Sequence, residues 1–166
     1  MIYKSANEQA FTLIEVIVTL VILGIVGVLA GYGIVQMTQG YVYSNINAET
    51  QQKALLAMNR IEKELLIVSY VDPASTSSSL TYTSNKQGIT ASHTLMVSGS
   101  TITIDGNTLV DFVSGFSLSY YNTNDIATPS TTWLPSNSKI IQYTISLTDK
   151  NGNATSFTSR AVPRNL

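Results

Sequence analysis

Residues 16–35 contain no Asp, Glu, Lys, Arg or His, only aliphatic side chains, Thr19, Ala30, Tyr32 and four glycines. About 20 apolar residues, rising about 1.5 Å each as a helix, are enough to cross the hydrocarbon of a bilayer. This run fixes the first element as a helix whose surface suits lipid or other helices. One acid, Glu15, stands at its threshold within Ala10-Phe11-Thr12-Leu13-Ile14-Glu15. A lone charge costs roughly 2.5–3.5 kcal/mol at the centre of a membrane on insertion scales, so such residues are kept for a purpose.

After the run the helix is expected to continue as an amphipathic segment over residues 36–70. Leu55, Met58, Ile61, Leu65 and Val68 recur at three- and four-residue spacing on one face. Asp72-Pro73 is expected to stop it, because proline disfavours helical geometry at the residue before it. A polar, mobile linker is expected at 71–79, where Ala-Ser-Thr-Ser-Ser-Ser occupies 74–79. Beyond it lie short alternating runs bounded by turn residues. Strands are expected at 80–83, 93–97, 101–104, 108–113, 116–121, 140–148 and 154–162. Asp105-Gly106-Asn107 and residues 149–153 read as hairpin turns. The fold class is therefore α+β: a long N-terminal helix, half apolar and half amphipathic, packed on a mostly antiparallel β-sheet over 80–166.

Charged residues make up 11% of the 166 and the net charge is −1, so no basic excess points to nucleic acid. Lys4 and the amino terminus precede the apolar run, and the next base after it is Lys53, which favours N-in, C-out insertion. Catalysis has little to stand on. Glu62 and Glu64 fall on different sides of a helix, and Asp105, Asp111 and Asp125 are scattered. No phosphate loop or nucleophile–base spacing occurs, and no enzyme activity is expected.

The short leader ending in a small residue, then Phe-Thr-Leu-Ile-Glu, then about twenty apolar positions, resembles the prepilin signal of type IV pilins and pseudopilins. The resemblance implies a leader at 1–10 removed by a membrane prepilin peptidase between Ala10 and Phe11, with Thr12, Leu13 and Ile14 in the recognition motif. It implies N-methylation of Phe11, a transmembrane and assembly helix at 11–35, and a salt bridge between Glu15 and the Phe11 amine of a neighbouring subunit. The partners implied are the peptidase, other major and minor pilins or pseudopilins, the inner-membrane assembly platform and the lipid bilayer. The chain would rest as a single-pass inner-membrane protein and then enter a periplasmic pseudopilus or an extracellular pilus. Ala10 stands where the family usually has Gly, the leader is less basic than usual, and no proline occurs before Pro73. A looser pattern runs through Val110-Asp111-Phe112, residues 116–122, Trp133 and residues 140–147, with residues 60–65 in the helix. It resembles J-type minor pseudopilins of type II secretion and equally W-type minor pilins, implying a subunit that initiates or caps a fibre.

Several readings stay open beside this one. Val28-Leu29-Ala30 suits an ordinary signal-peptidase site that leaves Gly31 first. A membrane-anchored or secreted β-domain acting as an adhesin or ligand-binding tip is the alternative function, with Tyr120, Tyr121 and Trp133 as a stacking groove. Gly27 and Gly31 have the four-residue spacing of close-packed membrane helices, or simply loosen the helix. His93 is expected at an ordinary strand edge rather than in a metal site. Asp149, Asn151 and Asn153 alternate as calcium ligands do, but no bidentate Glu follows, and a hairpin turn uses the same residues. Apart from that calcium alternative, no cofactor is expected.

Overall fold

The computed structural model describes residues 11–86, 88–122 and 127–166. The leader 1–10, with Ala10, and Asp125 lie outside the described residues. The chain divides into two compact units, one ending at Asn45 and one spanning Ile46–Leu166. Helix α1 (Leu13–Leu66) contributes to both. In the first unit every large apolar side chain from Phe11 to Val35 is exposed. Such a surface is stable only against lipid or other apolar helices.

The second unit packs the end of α1 against two antiparallel sheets. The larger has five strands in chain order: β1 (Val68–Val71), β2 (Ser79–Lys86), β3 (Ile89–Ser98), β4 (Thr101–Ile104) and β5 (Asn107–Val110). The smaller has three, also in chain order: β6 (Val113–Tyr121), β7 (Ile140–Thr148) and β8 (Ala154–Ala161). Each face is set by alternation. Ile141, Tyr143, Ile145 and Leu147 of β7 are all buried, while the residues between them are only partly covered. The pattern for 101–104 and 140–148 matches β4 and β7 to the residue. Asp105 and Gly106 both take positive φ, 54° and 78°, between the paired residues Ile104 and Asn107. A two-residue turn of that kind matches the twist of the strands it joins, and Asp-Gly favours it.

The differences from expectation have local causes. The helix ends at Leu66 rather than near residue 70, and Val68–Val71 forms edge strand β1, paired with β2. Its β-branched and aromatic residues bury Val68 and Val71 as well in a strand as in a helix. The buried helix face is Ala54, Ala57, Ile61 and Leu65, whereas Leu55 is 55% exposed and Leu56 71%. Alanine lets the sheets approach closely enough for the Tyr143 hydroxyl to donate to the Met58 carbonyl at 3.1 Å. Strand 108–113 is broken at Phe112, whose φ of 57° is left-handed, and the chain there leaves one sheet for the other. Residues 72–79 make bonds to both sheets: Ser75 is buried and exchanges hydrogen bonds with Thr81, and the Leu118 N–H donates to the Ser77 carbonyl at 2.7 Å.

Three tyrosines of this core, all 1% exposed or less, test how its polar atoms are satisfied. Tyr120 donates to the Thr76 carbonyl at 2.8 Å and Tyr143 to Met58, while the Tyr82 hydroxyl has no partner among the described residues. Burial pushes the pKa of all three phenols up. Tyr82→Phe is expected to leave stability unchanged or raise it by about 1 kcal/mol, because an unsatisfied buried hydroxyl is removed. Tyr120→Phe is expected to lower it by about 1 kcal/mol, because the Thr76 carbonyl loses its donor. Denaturant unfolding followed by Trp133 fluorescence reads both signs.

Candidate functional site

The described chain begins just before α1. Phe11 and Thr12 precede the helix, and Phe11 is 77% exposed. The Thr12 carbonyl accepts the Glu15 N–H at 3.1 Å and the Val16 N–H at 3.3 Å, and its Oγ1 also faces the Glu15 N–H, at 3.4 Å. Thr12 is therefore the N-cap, and Glu15 is the third helical residue. Thr-x-x-Glu is the spacing of a capping box, and Phe11 and Val16 occupy the staple positions around it. The helix start is thus written into the same residues as the recognition motif. That spacing is legible in the sequence, where Thr12 is both a motif residue and a candidate N-cap by its distance from Glu15. The acid sits in the first turn, where the helix dipole favours a negative charge by about 0.3–1 kcal/mol. Farther along, Thr19 Oγ1 donates to the Val16 carbonyl and Thr38 Oγ1 to the Ile34 carbonyl, both at 2.9 Å. The hydroxyls of an apolar helix are in this way satisfied without water.

Residues 5–31 match the family described as the prokaryotic N-terminal methylation motif. The match supports a type IV pilin-like prepilin signal, and with it a type IV pilin or pseudopilin subunit. Such a motif points to a structural subunit rather than an enzyme, to processing by prepilin peptidase and to assembly with other pilins. The apolar part of α1 is long and apolar enough to cross a membrane, consistent with the single-pass anchor of a prepilin. No curated protein matches the chain.

Away from the methylation motif, the second unit holds two polar clusters. At the first, Lys53 Nζ lies 3.0 Å from Asp111 Oδ1 and 3.9 Å from Glu49 Oε1, and Lys150 Nζ lies 2.8 Å from Glu49 Oε2. Lys53 also stands 4.8 Å above the exposed Phe112 ring. The Lys150 ammonium holds the Glu49 carboxyl below its usual range. These charges tie the helix to the β5–β6 and β7–β8 connections. At the second, His93 lies within β3, paired with Tyr82 of β2 on one side and, on the other, beyond the last β3–β4 pair, Leu95–Ile104. Its Nδ1 is 2.6 Å from Asp105 Oδ2, and Asp105 Oδ1 accepts the Thr94 N–H at 2.8 Å. That pair ties the β4–β5 turn to β3.

Asp149 Oδ1 accepts the N–H groups of Asn151 and Asn153, both at 2.8 Å, and Oδ2 accepts Asn153 Nδ2 at 3.1 Å. Those bonds, the Asn153 side chain first, hold the Asp149 pKa down. The carboxylate thus serves a tight turn, with Gly152 at a φ of 85°. Among the described residues no group of three or more His, Cys, Asp or Glu side chains is placed to hold a metal ion. Trp133 is 3% exposed and meets Tyr120 edge-on at 5.6 Å. Tyr120 and Tyr121 are buried too, so the three aromatics form no open stacking groove. Glu64 pairs with Arg60 at 2.8 Å on the same helix, an ordinary i,i+4 ion pair.

Proposed function

We propose that this chain is a minor pilin or pseudopilin, inserted N-in, C-out in the inner membrane. It would enter a type IV pilus or a type II secretion pseudopilus as an initiating or capping subunit, related to the J-type or W-type minor subunits. The observation that carries the proposal is the start of α1. The cap at Thr12 leaves Phe11 ahead of the helix, so the residue that cleavage would make the first stands outside α1. The same cap places Glu15 in the first turn, at the mouth of an apolar surface that is exposed among the described residues.

Cleavage at Ala10–Phe11 frees a cationic amine, which N-methylation of Phe11 leaves charged. In a water-free fibre core that amine and the Glu15 carboxylate of an adjacent subunit need each other. Desolvation cancels most of their attraction, so the pair sets register, while apolar packing of residues 14–35 supplies the association. Mass spectrometry of the mature N-terminus in membranes tests the reading. A chain beginning at N-methylated Phe11 is expected. One beginning at Gly31 shows ordinary signal cleavage and overturns the proposal.

A further inference from the structure

The two sheets have four edges, and three of them are protected. β1 and β5 are four residues long and each is interrupted by a register shift. β6 is covered: its Leu118 N–H donates to the Ser77 carbonyl, and Tyr120 exchanges both backbone bonds with Ser130 at 2.8–2.9 Å. Short, bulged or covered edges are the usual means of preventing strand addition. β8 has none of them. It pairs with β7 over eight residues without a shift, contains neither Pro nor Gly, and is exposed along most of its length.

The direction of its free groups follows from the ladder. The Asp149 N–H donates to the Asn153 carbonyl at 2.9 Å, so that pair is a hydrogen-bonded one. Antiparallel pairs alternate, so Thr155, Phe157, Ser159 and Ala161 bond to β7. Ala154, Ser156, Thr158 and Arg160 then point their N–H and C=O groups away from it. None of these groups has a backbone partner among the described residues. The solvent face beside them carries hydroxyls, with Thr144 Oγ1 2.9 Å from Thr158 Oγ1 and Ser146 Oγ 2.7 Å from Ser156 Oγ. Arg160 is the one charged residue of the strand, with Nε donating to Gln142 Oε1 at 2.7 Å and its guanidinium over the Tyr121 ring.

We propose that β8 is a docking edge that accepts an extended strand of a different subunit as the fourth strand of the smaller sheet, with an acidic residue opposite Arg160. Backbone bonds supply the attachment and the facing side chains the choice of partner. The charge decides against β8 of a second copy as the added strand: β8 holds no acid, so pairing β8 with itself gives Arg160 no acidic residue opposite it in any register. This inference rests on the assembly reading above, because a fibre subunit is what brings such a strand into reach.

Amide hydrogen exchange on the full chain, in membranes and in assembled fibres, tests it. The N–H groups of Ser156, Thr158 and Arg160 are expected to exchange about a hundredfold more slowly after assembly, while Thr155, Phe157 and Ser159 are protected in both states. Thr158→Pro removes one outward donor without touching the β7 ladder; it is expected to lower incorporation about tenfold and leave the head folded. Arg160→Glu is expected to do the same and Arg160→Lys to behave as the parent; equal incorporation of all three overturns the acidic strand. The chain has no cysteine, so Ser156→Cys introduces a single thiol at an exposed position of the strand. A disulfide-linked homodimer through it identifies a second copy and overturns the assignment to a different subunit. Fast exchange at 156, 158 and 160 in fibres whose chains begin at N-methylated Phe11 overturns the docking edge and leaves the assembly reading standing. Chains that begin at Gly31 overturn both.

Discussion

Glu15→Ala is expected to yield a chain that is inserted and cleaved normally but is nearly absent from fibres. The helix itself survives the change, because Thr12 supplies the cap through its own oxygens and alanine is the best helix former. What is lost is a charge. If Glu15 served only the helix dipole or sat among lipid headgroups, its removal would cost about 0.3–1 kcal/mol, a few-fold in incorporation at most. If it answers the amine of Phe11 on an adjacent subunit, the change strands a cation in a dry core. Breaking a buried pair that way costs about 3–5 kcal/mol, which is a hundredfold or more. The two magnitudes are far enough apart to decide the role. Quantifying the cleaved Glu15→Ala chain in membranes and in sheared fibres reads the ratio, and a parental ratio overturns the pairing. Glu15→Gln, which keeps shape and hydrogen bonding without charge, is expected to fall with the alanine variant.

What could be read from the residues, and what could not, divides along physical lines. The motif around Phe11 and Glu15 depends on residue identity in a fixed order, so it is visible without coordinates. Strands β4 and β7 are visible because apolar and polar residues alternate strictly there, and the Asp105-Gly106 turn because few other residues accept two positive φ angles in succession. The end of the helix is ambiguous because Leu65 and Val68 satisfy a helical period and a strand equally well. The division into two sheets hinges on a left-handed Phe112, a conformation that a bulky side chain rarely adopts and that residue type does not forecast. The open edge of β8 is a property of pairing, and it stands out only once β1 and β5 are seen to be short and shifted and β6 to be covered. The polar ties at Lys53, Asp111 and Lys150 join residues up to 101 positions apart, a separation no local pattern encodes.

The helix face offers the sharpest quantitative test of the fold. By apolar spacing alone Leu55 and Ile61 look equivalent, yet Ile61 is fully buried and Leu55 is 55% exposed. The reason is that Ala54 and Ala57 occupy the seam: small side chains let the helix settle on the sheets and turn Leu55 outward. Ile61→Ala opens a cavity in the buried core that Ile61 belongs to, and is expected to cost about 2–5 kcal/mol. Leu55→Ala removes no core contact and is expected to stay within about 0.5 kcal/mol. Trp133, the sole tryptophan, is buried in the same unit and reports its unfolding directly. Denaturant titrations of the full chain in detergent, followed by that fluorescence, separate the two variants without interference from the apolar helix, which carries no tryptophan. Equal losses at 55 and 61 would mean that the helix is rotated about its axis from the position described, and that the alanine seam is not where the sheets rest.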